Sequence, residues 1–345
     1  MLTNATTVLD RFPLMGIVLS LIILCCTVLS IAYGAGQPYF TDSLQLILQA
    51  LSQWSLEPIT PLLEIRIPRT IAAVSVGLAL AISGVILQNL LKNPLADSGL
   101  IGINSGASLA IVLAIVLQMD TFGLFFWAVI GALVSALLVF AISPRQMTDQ
   151  SSLTRLVLAG LAITSTFQGF MAAILLSFQN GLDDYRFWVL GSLNRVDIQY
   201  LSLALILMAI GLIIAILVIR PLGLSLVGDQ LANSLGLNTK LLDAFCILAV
   251  VLLTGSAVAL TGPIAFLGLI APYFARAIGA QSIQKQLIYS GLFGMLLLLM
   301  ADIIARAVVQ PFEAPVSILL ALLGAPILIW MVRQNNLQNI IQAEK

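Results

Sequence analysis

The amino-acid sequence predicts an all-α membrane protein of about ten transmembrane helices, with both termini on the cytoplasmic side. Three observations carry that prediction: the scarcity of charge, the length of the uncharged runs, and the uneven placement of arginine and lysine. Hydrophobic residues make up 60% of the 345 and charged residues 9%, and the mean hydropathy is +1.10. A soluble domain carries roughly 25% charged residues, so this chain lacks the polar surface that water requires. A bilayer core is ~30 Å thick and a helix rises ~1.5 Å per residue, so each crossing takes about 20 apolar residues. The chain length then accommodates about ten crossings with short loops, a single transmembrane domain over 1–345. A lipid-facing barrel would instead show short alternating segments.

Charged residues and turn formers divide the chain into spans near 14–34, 66–91, 98–118, 121–143, 155–179, 199–220, 241–259, 263–280, 286–308 and 314–333. The first follows Arg11 and could pass for a secretory signal, but the run from Leu14 to Tyr33 exceeds a signal core. We retain it as a helix, which makes the span count even. The uncharged stretch from Ala244 to Ala275 is too long for one helix, and Thr261-Gly262-Pro263 is its natural break. Two outer loops are longer than a turn, 34–64 and 180–198. The second holds Asp183, Asp184, Tyr185, Arg186, Phe187 and Trp188 and reads as a short interfacial helix, with Trp188 at the membrane boundary. The longest inner loop runs from Arg220 to Lys240.

Orientation follows from the basic residues. Arg11, Lys92, Arg145, Arg155, Arg220, Lys240, Arg276, Lys285, Arg333 and Lys345 fall on one side; Arg66, Arg69, Arg186, Arg195 and Arg306 fall on the other. Ten against five places the termini in the cytoplasm. The five outer arginines breach that rule and need a reason of their own.

The same composition excludes whole classes of chemistry. There is no histidine, which removes Ser-His catalysis and histidine-ligated zinc. Asp97, Asp229, Asp243 and Asp302 all fall at or near predicted helix ends, so a mid-membrane acid pair, or a buried group for coupling to an ion gradient, is not expected. Cys25, Cys26 and Cys246 lie inside apolar runs and read as packing residues, neither a disulfide framework nor a metal cage. Zero formal net charge argues against nucleic acid as a partner. The four lysines follow Leu91, Thr239, Gln284 and Glu344, never a glycine, so no Walker A phosphate loop exists. Any ATPase is then a separate chain.

That conclusion draws weight to the inner loop. Gly228-Asp229-Gln230-Leu231-Ala232-Asn233-Ser234-Leu235-Gly236 reads as a short helix, with Asp229 suited to its start and Gly236 to its close. Leu231, Ala232 and Leu235 share one face, which either docks into a partner's groove or covers the chain's own bundle.

Several blocks then occur in a telling order: Arg66-Ile-Pro-Arg69 with Gly77, Gly84 and Gln88; Asn93-Pro94-Leu95-Ala96-Asp97 with Gly102 and Gly106; and Trp188 with Gly191-Ser192. Ala232 with Leu235-Gly236 follows, then the run from Gly262 to Pro272 closed by Arg276. Ala301-Asp302, Ala305-Arg306, Pro315 and Gly324-Ala325-Pro326 complete the series. From about Leu63 to Arg333 the chain resembles the permease subunits of type II ABC importers for iron-siderophores, haem and vitamin B12. It departs from the usual pattern at Ser98, at Tyr273, and at Ser317, where proline, histidine and glycine are common.

The resemblance implies a permease of the bacterial cytoplasmic (inner) membrane, working with a second copy or a paralogue, two ATP-binding subunits and an extracytoplasmic solute-binding protein. Its first expected cargo is a ferric siderophore, with vitamin B12 and haem next; a gradient-driven carrier is the rival from another class. Arg66, Arg69 and Arg306 would face outward and pair with carboxylates of the binding protein, unless they anchor phosphate headgroups or pair with Glu64 and Asp302. Gly228, Asp229, Leu231, Ala232, Leu235 and Gly236 would couple to the ATPase. Asn93 and Leu95, with the loop near Ser151 and Ser152, would narrow the cytoplasmic exit, although Asn93-Pro94 could also simply start a helix with Asp97 near its positive end. The Gly102-x-x-x-Gly106 pair reads as close helix packing. No metal or cofactor is expected on this chain; ATP and magnesium belong to the partner subunit.

Overall fold

The computed structural model describes residues 11–33, 65–119, 121–142, 150–178, 185–226 (less 187 and 195), 232–308 (less 233 and 235) and 313–343. Among these are ten α-helices and one 3-10 helix. They are α1 (Arg11–Ala32), α2 (Ile67–Leu90), the 3-10 helix (Ser98–Ile101), α3 (Ile103–Val116), α4 (Thr121–Ile142) and α5 (Gln150–Ser177). Then follow α6 (Ile198–Ser225), α7 (Thr239–Thr261), α8 (Leu267–Ala277), α9 (Ile283–Val308) and α10 (Val316–Ala343). Seven of them, α1, α2, α4, α5, α6, α7 and α9, are long and apolar enough to cross a membrane.

Helix α2 is the axis of the bundle. It packs against α9, α7, α8 and α6, and most of its side chains are buried, from Pro68 to Leu90. Small residues make this possible, because close helix approach in lipid relies on backbone contact and dispersion more than on apolar transfer. A Cβ at Gly77 would stand 2.5 Å from the carbonyl oxygen of Gly294 on α9, and one at Gly84 would overlap the carbonyl of Gly268 on α8. Helix α1 keeps Leu14, Ile17, Leu21 and Leu24 exposed on its outer face and rests on α9.

The ten predicted spans correspond one to one with the ten helices, but three fall short of a full apolar crossing: the apolar stretch of α10 is Val316–Trp330, and α3 and α8 are short helices. The span expected over 98–118 is a 3-10 turn, a left-handed Gly102 (φ 74°), and then a 14-residue α3. The span expected over 263–280 is the 11-residue α8. At 1.5 Å per residue α8 reaches only ~16 Å, about half the hydrocarbon thickness. Hydropathy could not reveal this, because the non-helical segment 262–266 is as apolar as the helix it interrupts. Gly262 takes φ 75° with ψ 178°, a region essentially closed to residues with a Cβ, and Phe266 is left-handed at φ 68°. Other corrections are at the ends: α6 continues past Arg220 to Ser225 with Pro221 inside it, and α5 starts at Gln150. Ser151 and Ser152 therefore lie in a helix and not in a loop; polar residues extend a helix readily once it leaves hydrocarbon.

The break after α7 is strapped from outside the bundle. Tyr185 and Trp188, both helical as predicted for the interfacial segment, stack with ring centroids 6.5 Å apart. Beyond them the Ser192 N–H donates to the Thr261 carbonyl at 2.8 Å, and Gly191 is too close to the Pro263 carbonyl (2.5 Å) to carry a Cβ. The Ser317 hydroxyl, at the start of α10, donates to the Leu190 carbonyl. The serine in place of the usual glycine thus supplies an extra tie.

Candidate functional site

The outer end of α2 carries a buried ionic cluster. Arg69 donates from Nε (3.0 Å) and Nη2 (2.8 Å) to Asp302 Oδ1 on α9, and from Nη1 to Glu313 Oε2 at 2.7 Å. Arg306, one turn beyond Asp302, brings Nη2 within 2.7 Å of Asp302 Oδ2. Its other contacts hold α1: Nη1 donates to the carbonyls of Ser30 (2.8 Å) and Tyr33 (2.6 Å), and Nη2 to Ser30 Oγ (2.7 Å). Arg66 Nη1 reaches the carbonyls of Ile31 (3.3 Å) and Ala32 (3.1 Å). The last carbonyls of a helix have no intrahelical donor and carry its negative dipole end. Two arginines from α2 and α9 supply both the hydrogen bonds and the opposite charge.

This placement corrects the expectation of outward-facing arginines. Arg66, Arg69 and Arg306 are only 7%, 5% and 1% exposed, and Asp302 is fully buried. The alternative pairing with Asp302 is the one observed; Glu64 lies outside the described residues. Asp302 lies toward the end of α9, as expected, and is the centre of the cluster. Burying a guanidinium is tolerable only with carboxylate and carbonyl partners, and the fold provides them. Glu313, Ser30 and Asn194, whose Oδ1 lies 3.5 Å from Arg69 Nη1, were not legible in sequence. The one available signal was the i, i+4 pair of Asp302 and Arg306 on a single helix.

The inner end of α2 is held by amides. Lys92 is left-handed (φ 48°), and the Asn93 N–H donates back to the Gln88 carbonyl at 2.9 Å, which closes the helix. Asn93 Oδ1 accepts from the Leu95 N–H at 2.9 Å, forming an Asx turn, so Asn93-Pro94 makes a hook and starts no helix. Leu95 stands 37% exposed on that hook. Gln88 donates from Nε2 to the Gly268 carbonyl (3.1 Å) and accepts from Arg276 Nη1 (2.6 Å). Asp97 adopts an extended conformation just before the 3-10 helix. Gly106 packs on Gly131 of α4, and the carbonyl of Gly102, just outside the helix, accepts from the Ser135 hydroxyl of α4 at 2.7 Å, so both members of the pair lie close to α4.

For the coupling segment, Gly228, Asp229, Leu231 and Leu235 lie outside the described residues. Ala232 and Ser234 are helical. Gly236 has φ 83° and the Leu237 N–H bonds to the Ala232 carbonyl at 3.0 Å. That six-to-one bond past a left-handed glycine is a Schellman close, in the position expected for Gly236. Ala232 is buried within the chain, so this member of the apolar face covers its own bundle.

Helix α5 differs from the others in what it exposes. Ser165, Thr166, Gln168, Gly169 and Ala172 are open near its middle, with Leu158, Leu161, Phe170 and Leu176 also exposed along the helix, and no described atom lies within 4 Å of a Cβ placed on Gly169. The Thr166 hydroxyl folds back on the Ala162 carbonyl (2.8 Å), while Gln168 is exposed. Gln168 lies nine residues from the end of α5, about 14 Å along the axis. A side-chain amide at that depth is costly against lipid tails.

A central buried helix, two half-helices, an ionic outer end and one polar lateral face define a multi-pass membrane permease. Residues 21–334 match the FecCD transport family, and the chain belongs to that family. It is 37% identical over 336 residues to the ferric enterobactin transport system permease protein FepD of Escherichia coli, covering 96% of this chain and 98% of that one. It is 37% identical over 278 residues to the hemin transport system permease protein HmuU of Yersinia pestis, covering 78% and 82% respectively. A solved metal-chelate type ABC transporter in an inward-facing conformation superposes with a TM-score of 0.78 at 26% identity, over 93% of this chain and 99% of that one. The protein is therefore a permease subunit of a type II ABC importer, a multi-pass protein of the bacterial inner membrane. Nucleotide hydrolysis resides on separate ATP-binding subunits, and a solute-binding protein presents the cargo.

Proposed function

We propose that this chain and a second permease, an identical copy or a close paralogue, enclose a pathway along their shared axis and pass a ferric siderophore through it by alternating access. The observation that carries this reading is the uncharged polar face of α5 around Gln168, which suits a water-filled path shared with a partner helix better than it suits lipid. A bulky chelate needs a lining that wets it without holding it, and serine, threonine and amide groups do so without ligating iron. The siderophore is favoured over haem because the enterobactin permease matches along nearly the whole of both chains, while the haemin permease matches a smaller share of each. ATP and magnesium act on the partner subunits. The segment from Gly228 to Gly236 receives their motion through Asp229, Leu231 and Leu235. Asn93 and Leu95, near Ser151 and Ser152 of the opposed copy or of the same chain, form the cytoplasmic constriction.

Docking of the binding protein at Arg66, Arg69 and Arg306 belongs to the same reading. With the guanidiniums buried, a partner carboxylate would have to approach from the Glu313 side, where the cluster is least covered. Arg66→Glu with Arg306→Glu, in protein shown by thermal melting to be folded, should weaken docking; unchanged affinity at low salt would sink this part of the proposal.

The experiment for the whole is uptake of a panel of iron-loaded siderophores, haemin and cobalamin in cells lacking this chain and in complemented cells. Loss and rescue for one siderophore, abolished by disabling the ATP-binding subunit, is the expected result. Loss confined to haemin or cobalamin replaces the cargo. Uptake that survives without the ATPase means a gradient-driven carrier and overturns the reading.

A further inference from the structure

The cytoplasmic hook and the half-helix α8 are joined at one point. Residues 93–97 leave α2 and reach the 3-10 helix, and both ends of this segment converge on Gly268 in the first turn of α8. At the first end, the Gln88 carbonyl accepts from the Asn93 N–H at 2.9 Å. The same residue's side-chain amide donates to the Gly268 carbonyl at 3.1 Å. At the second end, Asp97 Oδ1 lies so near Gly268 that a Cβ there would stand 2.7 Å from it. A carboxylate in that place also faces the positive end of the α8 dipole. Arg276, in the last turn of α8, completes the frame by donating from Nη1 to Gln88 Oε1 at 2.6 Å. Its Nη2 is buried and has no hydrogen-bond partner among the described residues.

Gln88 suits this bridge chemically. A primary amide can donate to a carbonyl from its nitrogen and accept from a guanidinium at its oxygen at once. Glutamate would satisfy Arg276 but turn an acceptor toward the Gly268 carbonyl, and leucine would do neither. The hook itself is stiff: the Asx turn at Asn93 (2.9 Å) and the Ala96 N–H bond to the Asn93 carbonyl (3.1 Å) hold Leu95 out at a set angle. Helix α8, in contrast, is bounded by non-helical backbone at 262–266 and 278–282. It can shift as a unit.

We propose that Gln88, Asp97 and Arg276 are positioning residues of the cytoplasmic constriction: they clamp the Asn93–Asp97 hook to α8, so that movement of α8 carries Leu95 with it. The inference rests on the reading of Asn93 and Leu95 as that constriction. It gives the half-helix a mechanical role: α7, which follows the Gly236 close, ends at the 262–266 break, and the break leads directly into the clamped turn.

The test uses the complete transporter with its ATP-binding subunits in proteoliposomes. Leu95→Cys is introduced with Cys25→Ser, Cys26→Ser and Cys246→Ala, and its labelling by a membrane-impermeant maleimide is timed without nucleotide and after vanadate trapping. The rate should differ between the two states. Gln88→Leu removes two hydrogen bonds and should shrink that difference by at least about fivefold, the equivalent of one of them. Arg276→Met and Asp97→Asn should each shrink it less. If Gln88→Leu does not assemble, Arg276→Met carries the test, because it leaves the Gln88–Gly268 hydrogen bond between α2 and α8 in place. A merely structural role would lower the melting temperature and leave the difference between states untouched, and that result overturns the clamp. Equal labelling in both states before any clamp residue is changed would instead remove the constriction reading, and the clamp with it.

Discussion

The two ends of α2 are built from opposite materials. At the outer end, Arg69 meets Asp302 and Glu313 at 2.7–3.0 Å in a site where Arg69 and Asp302 are buried and Glu313 is partly open to solvent. At the inner end, Gln88 joins Gly268 and Arg276 through a neutral amide. Buried charges are expensive to bring together and more expensive to leave alone, so a cluster of that kind has one acceptable arrangement. Amide hydrogen bonds contribute about 1 kcal/mol net and can exchange at small cost. The outer end is therefore suited to hold α1, α2 and α9 in a set relation, and the inner end to keep the hook on α8 without the cost of parting a buried ion pair.

The contrast can be broken most forcefully at Asp302. Asp302→Ala leaves Arg69 and Arg306 buried beside each other without their shared carboxylate, and should lower stability by about 3–5 kcal/mol. Denaturant or thermal unfolding in detergent would measure it; a loss under ~1 kcal/mol would mean that the cluster behaves as a surface pair. Next is Gly84→Ala, which drives a Cβ into the Gly268 carbonyl and should cost about 1–3 kcal/mol by overpacking. The same change pushes α8 away from α2, so the labelling rate of Leu95→Cys should alter with it. The smallest effect is expected for Glu313→Gln. Arg69 keeps Asp302, Glu313 is partly exposed, and the loss should be about 1 kcal/mol. A loss as large as that of Asp302→Ala would show that the cluster acts as one unit instead of a core with a rim.

Much of this architecture was legible in the sequence. Ten apolar runs became ten helices, and Thr261-Gly262-Pro263 did end one of them, because a glycine at positive φ with extended ψ, followed by proline, cannot continue a helix. Gly236 closes its turn for the same reason. What escaped was depth and direction. Leu267 to Ala277 is, apart from Arg276, apolar enough to pass for part of a crossing, yet the preceding segment runs unwound and packs its backbone on Trp188 to Gly191, with the Thr261 carbonyl just before it accepting from the Ser192 N–H. Arg66 and Arg306 breached the inside rule and so demanded an explanation, but exposure to a partner and burial against carbonyls satisfy that demand equally well in one dimension.

The sequence by itself determined that this protein lives in a bilayer, how often its chain turns, and that it cannot hydrolyse nucleotide. Those are sums over local composition: transfer of each residue to hydrocarbon, and the presence or absence of a short phosphate-binding pattern. Only the tertiary structure decided which charges neutralise one another. Arg69 and Asp302 are 233 residues apart in the chain, Gln88 and Arg276 188, and no local term couples them. They meet because small residues let α2 sink between α8 and α9, and a polar group brought that deep must be paired with whatever polar group arrives beside it.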